Sequence, residues 1–156
     1  MKKTALATLL ALTALTGCGD ESGSVSLGMF TTKDIKIDNI VDPTVTGVTC
    51  HFSEIVDNLS FSDPSNMSIS CRQTGEITKD MVVQIKKGKG GEQVFKTSKS
   101  VFLKSMKIRR IYDEKTQSLL YVSYSTKELN GSHHHSLSTV PLWGTGAYIA
   151  KENVAE

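Results

Sequence analysis

"VFLKSMKIRRIYDEKTQSLLYVSYST", residues 101–126, decides the fold. Two runs rich in Val, Phe, Ile, Leu and Tyr flank the polar pentad "DEKTQ" at 113–117. Bulky and β-branched residues favour a pleated, half-buried surface, and a short polar break between two such runs reads as a hairpin turn. The expectation is a strand over Val101–Tyr112, a turn over Asp113–Gln117 and a returning strand over Ser118–Thr126. Residues two apart on a strand share a face. Phe102, Met106, Ile108 and Tyr112 therefore form one apolar row, which Lys104 and Arg110 interrupt. Either both faces are partly covered or a bulge shifts the register.

Working outward, strand signals dominate. Ile35 and Ile37 alternate with Lys36 and Asp38 until Asp42-Pro43 stops the run. Val45–Phe52 and Met67–Arg72 read as strands, Glu92–Ser98 looks extended, and Leu137–Leu142 supplies a last strand with Pro141 near an edge. Asn130-Gly131 is a turn signal. Thr78 is placed to cap a short helix carrying Met81, Val82 and Ile85 on one face. "KKGKGG" at 86–91 then breaks it. The fold class expected is α+β: a single domain, mainly antiparallel sheet with one short helix, held by one disulfide.

The N-terminus has another composition. Met1-Lys2-Lys3 is a positive start, and "TALATLLALTALT" at 4–16 has the length of a signal-peptide apolar core. It falls short of the roughly 20 apolar residues a membrane-crossing helix needs. Leu15-Thr16-Gly17-Cys18 resembles the lipobox of bacterial lipoprotein signals. That resemblance implies cleavage before Cys18 and acylation of Cys18, with residues 1–17 removed. One acyl chain holds a protein only marginally, at about 0.8 kcal/mol per methylene, whereas two or three hold it durably. The expected location is thus the periplasmic side of a bacterial membrane, leaning toward the outer membrane because Gly19, not Asp, follows the cysteine. "GDESGSVS" at 19–26 reads as a flexible tether completing a segment 18–26. The folded domain is expected over 27–143, and 144–156 as a loosely held tail.

Of 156 residues, 18 are basic and 16 acidic; losing Lys2 and Lys3 with the leader leaves 16 against 16. A neutral mature chain lacks the basic excess that nucleic-acid binding requires, and 6% aromatic residues are too few for a base-stacking platform. The chain holds three cysteines. Setting aside Cys18 leaves Cys50 and Cys71, which an oxidising compartment would join. The alternatives are two buried free thiols acting as small apolar residues, or a redox pair, although the spacing is far from C-x-x-C.

"GVTCHFSE" (47–54), "SISCRQTGEI" (68–77), "VFKTSKSVFLKSMKIRRIYDEKTQSLLYVSYSTK" (94–127) and "GSHHHSLSTVPL" (131–142) resemble, in collinear order, the CreA family of bacterial envelope proteins. The resemblance spans roughly 28–143 and includes both Cys50 and Cys71. It implies an exported protein with no established activity, whose gene neighbours a two-component regulatory system. Two features depart from the family pattern: the lipobox in place of a plain cleavable signal, and the histidine run at 133–135.

Motifs for chemistry are sparse. There is no G-x-S-x-G, H-E-x-x-H, C-x-x-C or phosphate-binding loop, and Gly88-Lys89-Gly90-Gly91 reads as a flexible loop. No catalytic residue and no cofactor are assigned. His133 and His135 share a face if extended and are the candidate metal ligands, but a metal site usually wants three or four; the favoured reading is a solvated turn. Lys107 and Arg109 share a face that could meet an acidic partner or lipid headgroups, and surface protection by charge is the favoured reading. Cys50 and neighbouring His51 point to opposite faces of a strand, which disfavours a Cys–His pair. The leading expectation is a non-enzymatic envelope lipoprotein. It acts as a binding module whose partners are the membrane, through its lipid, and an envelope protein. The rivals are an enzyme using His51, Glu54 and Arg72 in one pocket near Cys50–Cys71, and a modulator of a membrane sensor.

Overall fold

The structure is a computed structural model, which describes residues 21–57, 67–95, 106–126, 128 and 131–150. The first sheet has the order β1-β2-β3-β4: Glu21–Ser26, Lys33–Val41, Val48–Asp57 and Met67–Gln73. The second has the order β5-β6-β7-β8: Glu92–Gln93, Met106–Asp113, Ser118–Ser125 and His135–Pro141. Every pairing is antiparallel. Between β4 and β5 in chain order lies α1, only Lys79–Val83. Among the described residues the α+β expectation is met mostly by antiparallel sheet: two four-stranded sheets with one helical turn and a half. Val82 and Ile85 enter the core as read, with Met81 packed beside them. Thr78 occupies the cap position, but its side chain makes no capping bond.

The hairpin read from 101–126 is β6–β7, with Tyr112 opposite Leu119, Arg110 opposite Tyr121 and Ile108 opposite Ser123. The register shows no bulge, so Arg110 stays on the inward row and is fully buried. Residues 101–105, including Phe102 and Lys104, lie outside the described residues. The inward rows of β3 (Val48, Cys50) and β7 (Leu119, Tyr121) meet Ile69, Ile77, Val82, Ile108, Val140 and Leu142 in one core shared by both sheets.

Cys50 and Cys71 are disulfide-bonded. They stand directly opposite on β3 and β4, with Cα atoms 3.9 Å apart. The Cys71 amide points away from β3, so this is a non-hydrogen-bonded pair, the closer of the two antiparallel spacings. That amide donates instead to Ser138 Oγ of β8 at 2.7 Å, and the Ile69 amide donates to Ser136 Oγ at 3.4 Å. Serine hydroxyls thus satisfy the β4 edge where the sheets abut, in place of a backbone ladder.

Two boundaries move. Glu21–Ser26, read as tether, is strand β1, with Val25 opposite Ile35 and Ser24 opposite Lys36. Alternating small and polar residues carry little strand signal, and the partner strand supplies the ladder. The segment read as a loose tail is held at its start: Ala147 is buried, and the Gln117 side chain donates to Ile149 O and accepts from Ile149 N, both at 2.7 Å. Residues 151–156 lie outside the described set. Of the extended run read over Glu92–Ser98, the described part forms strand only at Glu92–Gln93 (β5), since Phe95 adopts φ 49°; residues 96–98 lie outside the described residues.

Candidate functional site

The first notable constellation is buried. Asp42 follows the last residue of β2, and Pro43 after it cannot donate to a ladder. Its Oδ1 accepts the amides of Thr44 (2.8 Å) and Val45 (2.9 Å), an Asx-type turn. The same carboxylate faces the core, accepting from Arg110 Nη1 and from the Tyr121 hydroxyl at 2.7 Å. Arg110 Nη2 donates to Glu92. Strand register brings these groups together, since Arg110 stands opposite both Tyr121 and Glu92. Asp42, Arg110 and Tyr121 are wholly buried, and only Glu92 reaches solvent.

A lone guanidinium there would be very costly. Burial works against its charge, but the bonds to Asp42 and Glu92 outweigh this and raise its pKa further. Burial, reinforced by the Asp42 charge, pushes the Tyr121 hydroxyl well up, so it stays a donor. The network locks the turn after β2 onto the second sheet. Among the described residues, Arg110 Nε and Ser123 Oγ are buried with no hydrogen-bond partner. Glu92 is delivered by the glycine loop read as flexible, and that loop is tied down: Arg109 Nε donates to Gly90 O at 2.7 Å and Nη2 to Gly91 O at 3.0 Å. Gly91 has φ +57°, and a Cβ there would lie 2.1 Å from Arg110 O. Arg109 is thereby occupied with the loop, and Lys107 alone of the predicted basic pair remains an exposed cation on that row.

The residues proposed for a rival pocket do not converge. His51 stands opposite Ser70 and Arg72 opposite Thr49, on the face of the first sheet turned away from the core. Glu54 has the other parity and shares the inward face with Lys36 and, diagonally, Asp38. Burial first, then repulsion from Asp38, lift its pKa to about 7 against the pull of Lys36. His133 and His135 are exposed; their Nδ1 atoms contact Ser125 O (3.1 Å) and His133 O (3.0 Å). Among the described residues, no group of three His, Cys, Asp or Glu is placed to hold a metal ion. Cys18 and Asn130 lie outside the described residues.

One surface feature escaped the sequence reading. The β1–β2 hairpin displays apolar side chains at its tip: Leu27 is 45% exposed, Met29 94% and Phe30 102%. The turn beneath them is internally bonded, Leu27 N to Lys33 O (3.2 Å) and Thr31 N to Gly28 O (3.3 Å).

Fold and site define a small two-sheet β domain stapled by one disulfide and clamped by a buried ion network. The family model described as "CreA protein" matches residues 22–145, and the chain belongs to that family. "Protein CreA" of Escherichia coli (strain K12) is 38% identical over 115 residues, covering 69% of this chain and 72% of that protein. "Protein CreA" of Escherichia coli O157:H7 gives the same identity and coverage. No solved structure matches the chain.

Proposed function

We propose that this CreA-family chain is a cell-envelope lipoprotein, anchored through acylated Cys18 and working as a non-enzymatic binding module. The observation that carries the reading is the lipobox Leu15-Thr16-Gly17-Cys18 at the end of a signal-type apolar core. The Cys50–Cys71 disulfide supports it independently: the bond fits an oxidising compartment and accounts for the two cysteines other than Cys18. The strongest polar constellation is buried apart from Glu92, which favours a structural use for it. His51 and Arg72 face away from Glu54, which removes the geometric support for a shared reaction pocket.

A tethered module is defined by what it touches. Crosslinking in intact cells, followed by mass spectrometry of the adducts, tests the reading. Reproducible crosslinks from surface lysines to one or a few envelope proteins support it, and a membrane sensor among them would specify a regulatory role. Purified protein that turns over an envelope metabolite, with loss of turnover in a surface variant, would contradict it.

A further inference from the structure

We infer that the β1–β2 hairpin is the edge of the domain that rests on the membrane, with Leu27, Met29 and Phe30 seated among the lipid headgroups and upper acyl chains. The inference rests on the lipoprotein reading and adds the orientation of the domain to it.

Three observations point the same way. Among the described residues, Met29 and Phe30 are the most exposed of the large apolar side chains, and Leu27 and Val25 of the same hairpin are also open to solvent. Single exposed apolar residues are ordinary, whereas a contiguous set on one projecting turn marks an interaction site. Next, the tip is preorganised. Its backbone bonds close within the hairpin, Lys33 N donates to Thr31 Oγ1, and Thr32 Oγ1 donates to Asp57 Oδ1 at 2.6 Å. The side chains can therefore leave water without stranding those backbone groups.

Finally, the chain fixes where the bilayer lies. Cys18 precedes Glu21 by three residues, a span of at most about 10 Å. β1 runs from Glu21 to Ser26, roughly 17 Å of strand. The anchor precedes β1 and the tip follows it, so a β1 lying near the plane of the bilayer brings both to the lipid surface. β1 is the outer strand of its sheet among the described residues, so its outer edge would face the wet headgroup layer. That shields an edge otherwise open to pairing with another chain.

The test uses the full lipidated protein in vesicles of phosphatidylethanolamine and phosphatidylglycerol. A single environment-sensitive fluorophore is placed on Phe30→Cys or, as control, on Glu114→Cys in the β6–β7 turn. Lipids spin-labelled near the headgroup should quench the probe at 30 several-fold more than the probe at 114, with aqueous iodide giving the reverse order. A probe on Leu27→Cys should become accessible to iodide when Met29→Asp and Phe30→Asp are added. The urea midpoint should stay unchanged, because neither side chain is packed. Equal iodide access at 27, 30 and 114, in protein whose mass shows acylated Cys18, overturns the inference and leaves the anchor standing. A native chain lacking acyl mass overturns the anchor and this orientation with it.

Discussion

Replacing Asp42 with Ala tests the clamp between the sheets. The substitution leaves Arg110 buried with Glu92 as its remaining acidic partner and strips the acceptor from the Tyr121 hydroxyl and the amides of Thr44 and Val45. Removing one partner of a buried ion pair costs about 3–5 kcal/mol, and each orphaned buried donor adds about 1 kcal/mol or more. These terms overlap, so the working figure is about 4–5 kcal/mol. That is a large share of the roughly 5–15 kcal/mol that holds a domain together. Urea unfolding followed by far-ultraviolet circular dichroism, with the disulfide intact, reads the loss. At a slope of about 1–3 kcal/mol per molar urea, the midpoint falls by roughly 2 M. Arg110→Met supplies the second arm of a double-mutant cycle. Once Arg110 is gone, losing Asp42 no longer strands a cation. The double variant should therefore be more stable than the sum of the singles predicts, by about 2 kcal/mol. A loss below about 1 kcal/mol for Asp42→Ala, or strictly additive singles, would refute the clamp.

Other expectations follow from the same geometry. Cys50→Ser with Cys71→Ser opens a loop with a sequence separation of 21 and should lower stability by about 3 kcal/mol in urea; alkylation of denatured, unreduced wild-type protein should leave both residues unlabelled. Glu54 binds its proton more tightly folded than unfolded, so its contribution is complete below its ordinary value of 4.5 and fades as pH rises to about 7. Allowing for screening at a half-buried carboxylate, that is about 1 kcal/mol, and Glu54→Gln should flatten the slope of stability across this window. Gly91→Ala combines a positive φ with a Cβ 2.1 Å from Arg110 O and should cost about 2 kcal/mol or more in thermal or urea unfolding, while Gly90→Ala, whose Cβ meets only the Arg109 side chain at 3.8 Å, should be milder. Replacing His133, His134 and His135 together with Ala should leave the melting temperature unchanged, with or without chelator; a chelator-sensitive drop confined to the wild type would establish a metal site there.

The hairpin at 106–125 was legible because bulky residues flank an abrupt polar turn, and the cysteine pairing because counting left a single partner for each thiol. Arg110 was visible only as an interruption of an apolar row. A charged residue at an inward position signals a buried partner, yet Asp42 is 68 residues away and looked like a turn former. Strand β1 was hidden because Gly and Ser also compose linkers; the ladder offered by β2 decides the matter. The β4–β8 seam was likewise invisible, since Ser136 and Ser138 alternate as any half-exposed strand would, and their use as acceptors for the β4 amides depends on tertiary placement. The hairpin tip failed to register because Leu27-Gly28-Met29-Phe30 reads equally well as the start of a core, and only exposure separates the two.

Intact-mass and peptide mass spectrometry of the protein taken from its native membrane tests the central claim most directly. The account predicts a chain beginning at Cys18, lacking residues 1–17, with the added mass of two or three acyl chains on that residue, and a Cys18→Ala variant that is unprocessed or released. A mature chain that begins elsewhere and carries no lipid would contradict it.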